Sequence, residues 1–191
     1  MNGEQRKGTA RARTNVAGAP TGGAKPSKGD DTQPDTKPRP PAKTVAESAI
    51  VMSRAMQPMD ANVWGNGHGG AIMRLVDEAG GAVAVRHSRR PCVTVAMDSM
   101  TFKQPVYIGD LLTIRAWLTS VGRTSMEVEA TIEAENLRTG EVRHAGTSYL
   151  IYVALDEHSR PTPAPPLELR TAEERARWAE AERRRANRRR E

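Results

Sequence analysis

A glycine pair and an aspartate eight residues after its first member could together carry out acyl chemistry. Gly69 and Gly70 follow an Asn-Gly turn and open a segment with helical periodicity. A helix start offers unpaired backbone N–H groups that suit a developing oxyanion, and glycine lets a carbonyl approach closely. Asp77, about two turns further on, could act as a general base or a nucleophile. On this stretch alone, tight helix packing at the glycines and a solvated aspartate explain the pattern slightly better.

The element that must position these residues is a long helix, predicted from about residue 68 to residue 87. Its core-facing side consists of apolar residues at steps of three and four: Ile72, Leu75, Val76, Ala79 and Val83. Asp77 lies on a second stripe whose other members, such as Met73 and Gly80, are small or apolar. We therefore expect Asp77 to face a groove or an interface rather than bulk water.

The rest of the central region reads as strands. Apolar or alternating segments predict strands over residues 47–56, 92–102, 111–121, 125–137 and 141–155. The alternation is cleanest from Met126 to Glu133, where apolar residues mark one face and polar residues the other. One strand, one helix and four further strands in an antiparallel meander predict an α+β domain whose curved sheet wraps a single helix.

Both ends of the chain differ in composition from the 44–160 domain. Residues 1–43 hold six prolines and six glycines but no Leu, Ile, Phe, Tyr or Trp, which predicts a disordered segment. Residues 161–167 (PTPAPPL) predict an extended linker. Residues 168–191 are charged almost throughout and predict a solvated helix with many Glu/Arg i,i+4 pairs.

The positive charge of the chain belongs to its ends. The 191 residues carry a formal net charge of +6, of which residues 1–43 contribute +5 and residues 168–191 contribute +3, leaving −2 for residues 44–167. The central domain is therefore not a basic nucleic-acid-binding domain, and we expect no nucleic-acid partner. No apolar run approaches the roughly 20 residues that span a bilayer, and the N-terminus lacks a hydrophobic signal region. We expect a cytoplasmic protein that does not enter membranes.

Neither the cysteine nor the histidines outside the turn predict a reactive centre. The single Cys92 rules out an intramolecular disulfide framework, and at a strand start it is better explained as a small core residue than as a nucleophile. His87, His144 and His158 lack the spacing of metal ligands, so we expect no metal site.

Several short motifs share their order and spacing with one enzyme family. They are P-x-D-x-N at 58–62, G-N-G-H-G-G at 65–70, M-R-L-V-D-E at 73–78, V-T-V-A-M-D at 93–98, F-K-Q-P-V at 102–106, G-D at 109–110 and G-R-T-S-M-E-V at 122–128. On these motifs, which cover about residues 48–166, the chain resembles hot-dog-fold acyl-CoA thioesterases of the cytosolic acyl-CoA hydrolase group.

The resemblance implies a fold, an assembly and a reaction. An antiparallel sheet would wrap a central helix, two chains would pair their sheets edge to edge, and three such dimers would form a hexamer. Active sites would be shared across the dimer and would hydrolyse fatty acyl-CoA to free acid and CoA without a cofactor. Asn62 matches the catalytic asparagine of the family and Asp77 its catalytic carboxylate, with the N–H of Gly70 or its neighbour as oxyanion donor. Water activation and direct attack by Asp77 both stay open.

The resemblance also implies contacts to coenzyme A. Arg123, Thr124 and Ser125 match the segment that contacts CoA in the family, although the same residues would equally make a plain β-turn. Lys103 is a second candidate for the CoA phosphates, with Arg89 or Arg90 a weaker third. Gly69 and His68 would border the substrate. His68, flanked by glycines, is interpreted as a turn or cap residue.

Two functions other than thioester hydrolysis occur as alternatives on the same fold. A non-catalytic regulator that binds acyl-CoA on the same fold is the alternative, but it would not need both Asn62 and Asp77. For Asn62 itself, the alternative is a turn-capping side chain. A dehydratase of the same fold is less favoured, because the helix start lacks the Asp-x-x-x-x-His pattern of that chemistry.

Overall fold

The computed structural model describes residues 38–188. In chain order its elements are β1 (Lys43–Thr44), β2 (Ile50–Ala55), a 3-10 turn (Pro58–Asp60), α1 (Gly69–Ser88), β3 (Cys92–Phe102), β4 (Leu111–Val121), β5 (Ser125–Asn136), β6 (Glu141–Ala154), β7 (Leu167–Glu168) and α2 (Ala172–Arg188). The helix and the four long strands lie where the periodicity predicted them. The first strand starts at residue 50 rather than 47, because residues 45–49 make a turn closed by a hydrogen bond from Ser48 N–H to Val45 O.

Five strands form one antiparallel sheet in the order β2-β4-β5-β6-β3. The expected four-stranded meander is wrong, because β3 pairs with β6 at one edge of the sheet and not with its successor β4. Its register runs from Cys92 opposite Ala154 to Phe102 opposite Gly146. Only β4, β5 and β6 form a meander. Alternation in a strand assigns its two faces, but it does not say which strand lies beside it.

Helix α1 packs its apolar side against the inner face of this sheet. The residues predicted for that side are all buried: Ile72, Leu75, Val76, Ala79 and Val83. The sheet contributes buried inward side chains from alternate positions of β4 and β5, including Ile114, Leu118, Val128 and Ile132. One helix on one sheet face thus forms the hydrophobic core.

The described residues that flank the domain, 38–44 and 161–168, are tied to it, in contrast to the expected tail and linker. The prediction of disorder falls mostly on residues 1–37, which lie outside the described residues. It is wrong for the last few positions, because the Arg39 guanidinium donates to the carbonyls of Gly122 and Ala164, and Lys43 pairs with Leu167 in a parallel β1–β7 ladder. Residues 162–165 are buried, so the proline-rich stretch packs against the domain.

The predicted C-terminal helix is present as α2, but one of its sides packs on the sheet, which corrects its interpretation as a solvated helix. Helix α2 lies on the outer face of the sheet, with the Arg177 guanidinium 4.5 Å from the centre of the Trp117 ring and the Arg184 guanidinium 3.8 Å from that of Tyr149. Arg184 also pairs with the buried Glu127 at 2.7 Å. Long arginine side chains cover apolar surface with their stems and rings with their guanidinium planes, so a charged helix can still pack.

Residues 38–188 contain neither a membrane-spanning helix nor a metal-binding cluster. None of the helices there is long and apolar enough to cross a membrane. In the same residues, no three His, Cys, Asp or Glu side chains lie close enough together to hold a metal ion.

Candidate active site

The start of α1 is capped by the histidine that precedes it. His68 Nδ1 accepts a hydrogen bond from the Gly70 N–H at 2.9 Å, and the His68 carbonyl accepts from the Ala71 N–H at 2.9 Å. The interpretation of His68 as a cap is confirmed. Gly70, the expected oxyanion donor, is therefore occupied by this cap. The Gly69 N–H is the donor without a partner among the described residues.

Asn62 organises the loop before the helix. Its Oδ1 accepts hydrogen bonds from the backbone N–H groups of Trp64 at 2.9 Å and of Asn66 at 3.1 Å. This is the turn-capping role that the sequence offered as the alternative to a catalytic role for Asn62. The amide nitrogen of Asn62 has no partner within residues 38–188, and Asn62 lines an open groove. The cap therefore fixes the side chain while leaving its N–H groups available.

That groove brings several of the predicted residues together. It has a volume of about 400 Å³, and its walls include Asn62, Gly69, Phe102, Lys103 and Val106. A Cβ on Gly69 would lie 3.5 Å from the Phe102 ring, so the helix start lies directly against the end of β3. The unpaired Gly69 N–H, the Asn62 amide and the Lys103 ammonium group thus border one concave surface.

Asp77 is held by two hydroxyl groups. Its Oδ1 accepts from Thr94 Oγ1 at 2.7 Å and from the Tyr152 hydroxyl at 3.0 Å. Its Oδ2 has no hydrogen-bond partner in the part of the chain described, and the residue is half-buried. Two neutral donors on one oxygen orient the carboxylate and leave the other oxygen open for a proton or for a bond to carbon.

Tyr152 can reach Asp77 because α1 carries a glycine at the point of contact. The Tyr152 side chain is buried, and any Cβ on Gly80 would overlap its hydroxyl. Burial, and then the adjacent Asp77 charge, raise the pKa of Tyr152 far above its usual range. The hydroxyl consequently stays protonated and remains a donor to Asp77.

Thr94 and Tyr152 are the site residues that sequence reasoning missed. Thr94 stands inside the V-T-V-A-M-D motif, which supported the family resemblance but was given no role. Its place in a motif that carried the resemblance was a usable signal. Tyr152 gave none, because an inward-facing tyrosine in a strand is an ordinary core residue until the partner of its hydroxyl is known.

The remaining predicted residues lie far apart within one chain. Asp77 is not among the residues that line the groove, and it stands about 12 Å along the helix axis from Gly69. Lys103 follows the end of β3, whereas the Thr124 carbonyl accepts from Ala154 N–H, opposite the beginning of β3. The 11 residues of β3 separate these ends by roughly 33 Å. One chain therefore holds two separate halves of the predicted site.

Comparison with known proteins agrees with this fold and these motifs. Residues 65–141 match the thioesterase superfamily. The uncharacterised acyl-CoA thioester hydrolase YkhA of Bacillus subtilis is 37% identical over 135 residues, which cover 71% of this chain and 78% of the relative. An uncharacterised acyl-CoA thioester hydrolase of Zymomonas mobilis is 40% identical over 139 residues, covering 70% of this chain and 86% of the relative. The chain belongs to the thioesterase superfamily. Both relatives carry the name acyl-CoA thioester hydrolase.

Solved structures place this thioesterase with the hot-dog fold. A hexameric acyl-CoA thioesterase superimposes with a TM-score of 0.76 at 35% identity, covering 78% of this chain and 96% of the other. The acyl-CoA hydrolase of Staphylococcus aureus, solved with butyryl coenzyme A and coenzyme A, superimposes with a TM-score of 0.73 at 30% identity, covering 78% and 91%. The described part of this chain, including its two-layer packing of α1 on the sheet, is a complete hot-dog domain.

The Staphylococcus aureus enzyme was also solved with an asparagine, an aspartate and a threonine each replaced by alanine. In that enzyme the aspartate lies 15 positions after the asparagine and 17 positions before the threonine. Asn62, Asp77 and Thr94 of this thioesterase have the same residue types at the same separations. The spacing therefore draws attention to Thr94, which hydrogen-bonds Asp77, as well as to the two residues predicted.

The thioesterase presents one long edge strand. In the sheet as described, β3 is paired on one side only, with β6. Val93, Val95 and Phe102 are 44%, 55% and 48% exposed along it. An 11-residue edge with exposed apolar side chains and unpaired backbone groups is a surface that proteins normally cover.

Proposed function

We propose that this protein hydrolyses the thioester bond of fatty acyl-CoA, releasing the free acid and CoA without a cofactor. The observation that carries the proposal is Asp77, a half-buried carboxylate with one oxygen fixed by Thr94 and Tyr152 and the other open. The names of the relatives and structural neighbours, which are acyl-CoA hydrolases and thioesterases, support the substrate class.

In this mechanism the thioester carbonyl lies at the start of α1. The carbonyl oxygen accepts from the Gly69 N–H, and the Gly70 N–H joins it when His68 turns away from its cap position. The Asn62 amide orients the carbonyl or the water. Asp77 Oδ2 takes a proton from water that attacks the carbonyl carbon, or attacks that carbon itself to give an anhydride that water then opens.

The catalytic groups are completed by two chains in this proposal. When two copies pair antiparallel through β3, the end of one strand lies beside the beginning of the other. The groove with Asn62 and Gly69 of one chain then faces Asp77 of the partner subunit. The unpaired β3 edge supports such a homodimer, and the hexameric neighbour supports a trimer of dimers.

The coenzyme A portion would follow the same junction. Lys103 borders the groove, and Arg123, Thr124 and Ser125 of the partner subunit would approach it from the other end of β3. We also propose a cytoplasmic location. It is supported by similarity to the rat cytosolic acyl coenzyme A thioester hydrolase, 30% identical over 154 residues, although this chain spans only 40% of that protein.

Release of free thiol from a panel of acyl-CoAs, from short to long chains, tests the reaction. We expect wild-type protein to hydrolyse at least one member, and the panel then gives the preferred chain length. If the protein binds acyl-CoA but releases no thiol from any of them, it is a binding protein and the proposal is wrong.

Mixing two inactive variants tests the shared site. Asn62→Ala and Asp77→Asn chains, denatured and refolded together in equal amounts, should form mixed dimers in which one of the two sites is intact. Random reassociation then restores about a quarter of wild-type activity. Each variant refolded alone is the control. A mixture no more active than the two controls would mean that each site is built within one chain.

A further inference from the structure

Two guanidinium groups meet at a single glycine on the outer side of the β4–β5 turn. Arg39 Nη2 donates to the Gly122 carbonyl at 2.6 Å. Arg185, from the last turns of α2, lies so close that a Cβ on Gly122 would stand 2.7 Å from its Nη2. Two like charges converge here on backbone that carries no charge to balance them.

Nearby carboxylates are already engaged elsewhere. The buried Glu127 accepts from Arg184 on one oxygen and from Arg188 on the other. Within the described residues, the carboxylate closest to Arg185 is Glu182 on its own helix, at 3.5 Å from Nη1. Among residues 38–188, Arg39 is held by carbonyl oxygens alone. The guanidinium groups around the turn belong to Arg39, Arg184, Arg185 and Arg188, and their carboxylate partners are Glu127, Glu182 and Asp98. Four cations thus face three carboxylates, and the surplus positive charge favours an anion.

A small cavity lies at this place. It has a volume of about 120 Å³, and the hydroxyls of Ser120 and Ser125 and the guanidinium groups of Arg185 and Arg188 line it. The Glu127 carboxylate lines it too, with its charge offset by ion pairs to Arg184 and Arg188. Ser120 is buried, so the cavity is built into the fold. A water molecule takes up roughly 30 Å³ in the liquid, so the space suits a group of a few heavy atoms such as phosphate.

We propose that Arg185, with Ser125 and the Gly122 turn, forms a phosphate-binding site for the nucleotide end of coenzyme A. The inference rests on the proposed function and adds to it a residue of α2, outside every motif of the family resemblance. A guanidinium can give two parallel hydrogen bonds to phosphate oxygens, and serine hydroxyls can give more. Gly122 is required there because a side chain would occupy the space of the Arg185 guanidinium.

We expect Arg185 to contribute to substrate binding, and we expect that contribution to require the nucleotide part of the substrate. Arg185→Ala should raise KM for an acyl-CoA about tenfold or more, the effect of losing a charge-assisted hydrogen bond, with kcat within about twofold of wild type. KM for the matching acyl-phosphopantetheine, which has the same thioester and no nucleotide, should not change. Arg183→Ala, an exposed arginine on the same stretch of α2, is the matched control and should behave as wild type.

Acyl-dephospho-CoA, which lacks only the 3′-phosphate, identifies the group bound. A variant effect on acyl-CoA alone assigns the 3′-phosphate, and an equal effect on both nucleotide substrates assigns the diphosphate; both support the site. Arg185→Lys should recover part of the affinity, because it keeps the charge but loses the fork of donors. The proposal is overturned if Arg185→Ala leaves all KM values unchanged or raises that of acyl-phosphopantetheine equally, as a loss of helix packing would.

Binding separates this inference from the reaction itself. If wild-type protein releases no thiol, the proposed function fails, and calorimetry with CoA, phosphopantetheine and inorganic phosphate still tests the site. Weaker binding of CoA by Arg185→Ala, with unchanged binding of phosphopantetheine, supports a nucleotide phosphate. If inorganic phosphate binds as tightly as CoA and loses its affinity equally in the variant, the site takes free phosphate and the assignment to coenzyme A is wrong.

Discussion

Two carboxylates on opposite faces of the sheet have opposite surroundings. Asp77, on the inner side, accepts from two neutral hydroxyls on one oxygen and keeps the other open. Glu127, on the outer side, is 2% exposed, accepts from Thr119 and Arg184 on one oxygen and pairs with Arg188 on the other. The Asp77 carboxylate is thus oriented but keeps one oxygen without a partner among the described residues, whereas both oxygens of the Glu127 carboxylate have partners.

Under the proposed function, this difference separates a reactive carboxylate from a structural one. A carboxylate paired with guanidinium groups holds its negative charge and gives up little of its electron density to a proton or an electrophile. Neutral hydroxyl donors orient the group without supplying a full countercharge. We therefore expect substitutions at Asp77 to change the rate, and substitutions at Glu127 to change the stability.

Asp77→Asn should have the largest effect. The amide keeps the size of the side chain but can neither take a proton from water nor attack the thioester, so kcat should fall by about 10²–10⁴-fold. The temperature of unfolding should stay close to that of wild type, because the Tyr152 hydroxyl can still donate to the amide oxygen. Steady-state thiol release and a thermal melt measure both; a melt lowered in proportion to the activity would contradict a catalytic role.

Thr94→Val should come next in its effect on rate. The change removes the 2.7 Å hydrogen bond that orients Asp77 Oδ1 and replaces a hydroxyl by a methyl of similar size. Since a hydrogen bond to a charged group contributes about 1.5–3 kcal/mol, kcat should fall roughly 10- to 100-fold. Thr94→Ser, which keeps the hydroxyl, is the control and should retain most of the activity.

Glu127→Gln should lower the stability and leave the rate nearly unchanged. Arg184 and Arg188 lose their shared buried carboxylate, although both remain partly accessible to solvent and Arg188 keeps Asp98 at 2.6 Å. We expect a loss of about 2 kcal/mol in the free energy of unfolding, measured by urea denaturation, and a kcat within about threefold of wild type. Glu133→Gln, on the same strand face and paired only at its surface with Arg115, should change stability very little. A kcat loss as large as that of Asp77→Asn would erase the contrast between the two carboxylates.

The smallest predicted effect is on the pH dependence of stability and concerns His87. Hydrogen bonds of this residue connect α1 to segments near both ends of the domain. The buried ring contacts Ser48 Oγ at 2.8 Å and the Pro165 carbonyl at 2.9 Å, and Lys43 donates to the His87 carbonyl. Burial lowers the pKa of His87 and outweighs the hydrogen bond to the Pro165 carbonyl, which raises it; the Lys43 charge lowers the pKa further and the Glu47 charge opposes it. The unfolded chain therefore binds the proton more readily than the folded one.

The contribution of His87 to stability is present at pH values above the ordinary histidine pKa near 6.5. It decreases as the pH falls below that value. Urea midpoints of wild type and His87→Gln at pH 7.5 and pH 5.5 measure this. The wild type should lose more stability between the two pH values than the variant, in which position 87 does not titrate. Equal losses in both would show that other groups cause the acid sensitivity.

Local patterns in the sequence predicted much of the fold and singled out part of the candidate site. The bounds of α1 and the four long strands followed from periodicities of 3.6 and 2 that each segment carries by itself. Asp77 stood out as a lone carboxylate on a stripe of small residues, and His68 as a cap beside glycines. Such features depend on neighbours within a few positions, so the sequence alone was enough to identify them.

Tertiary structure decided everything that depends on residues far apart in the chain. Pairing of β3 with β6, rather than β4, is what brings Thr94 and Tyr152 to Asp77, 17 and 75 residues away from it. The docking of α2 was equally unforeseen, because its arginines pair with carboxylates on strands that sequence spacing does not relate to it. Alternation and charge indicate which face a residue occupies. The partner of that residue depends on which strands and helices meet once the whole chain has folded.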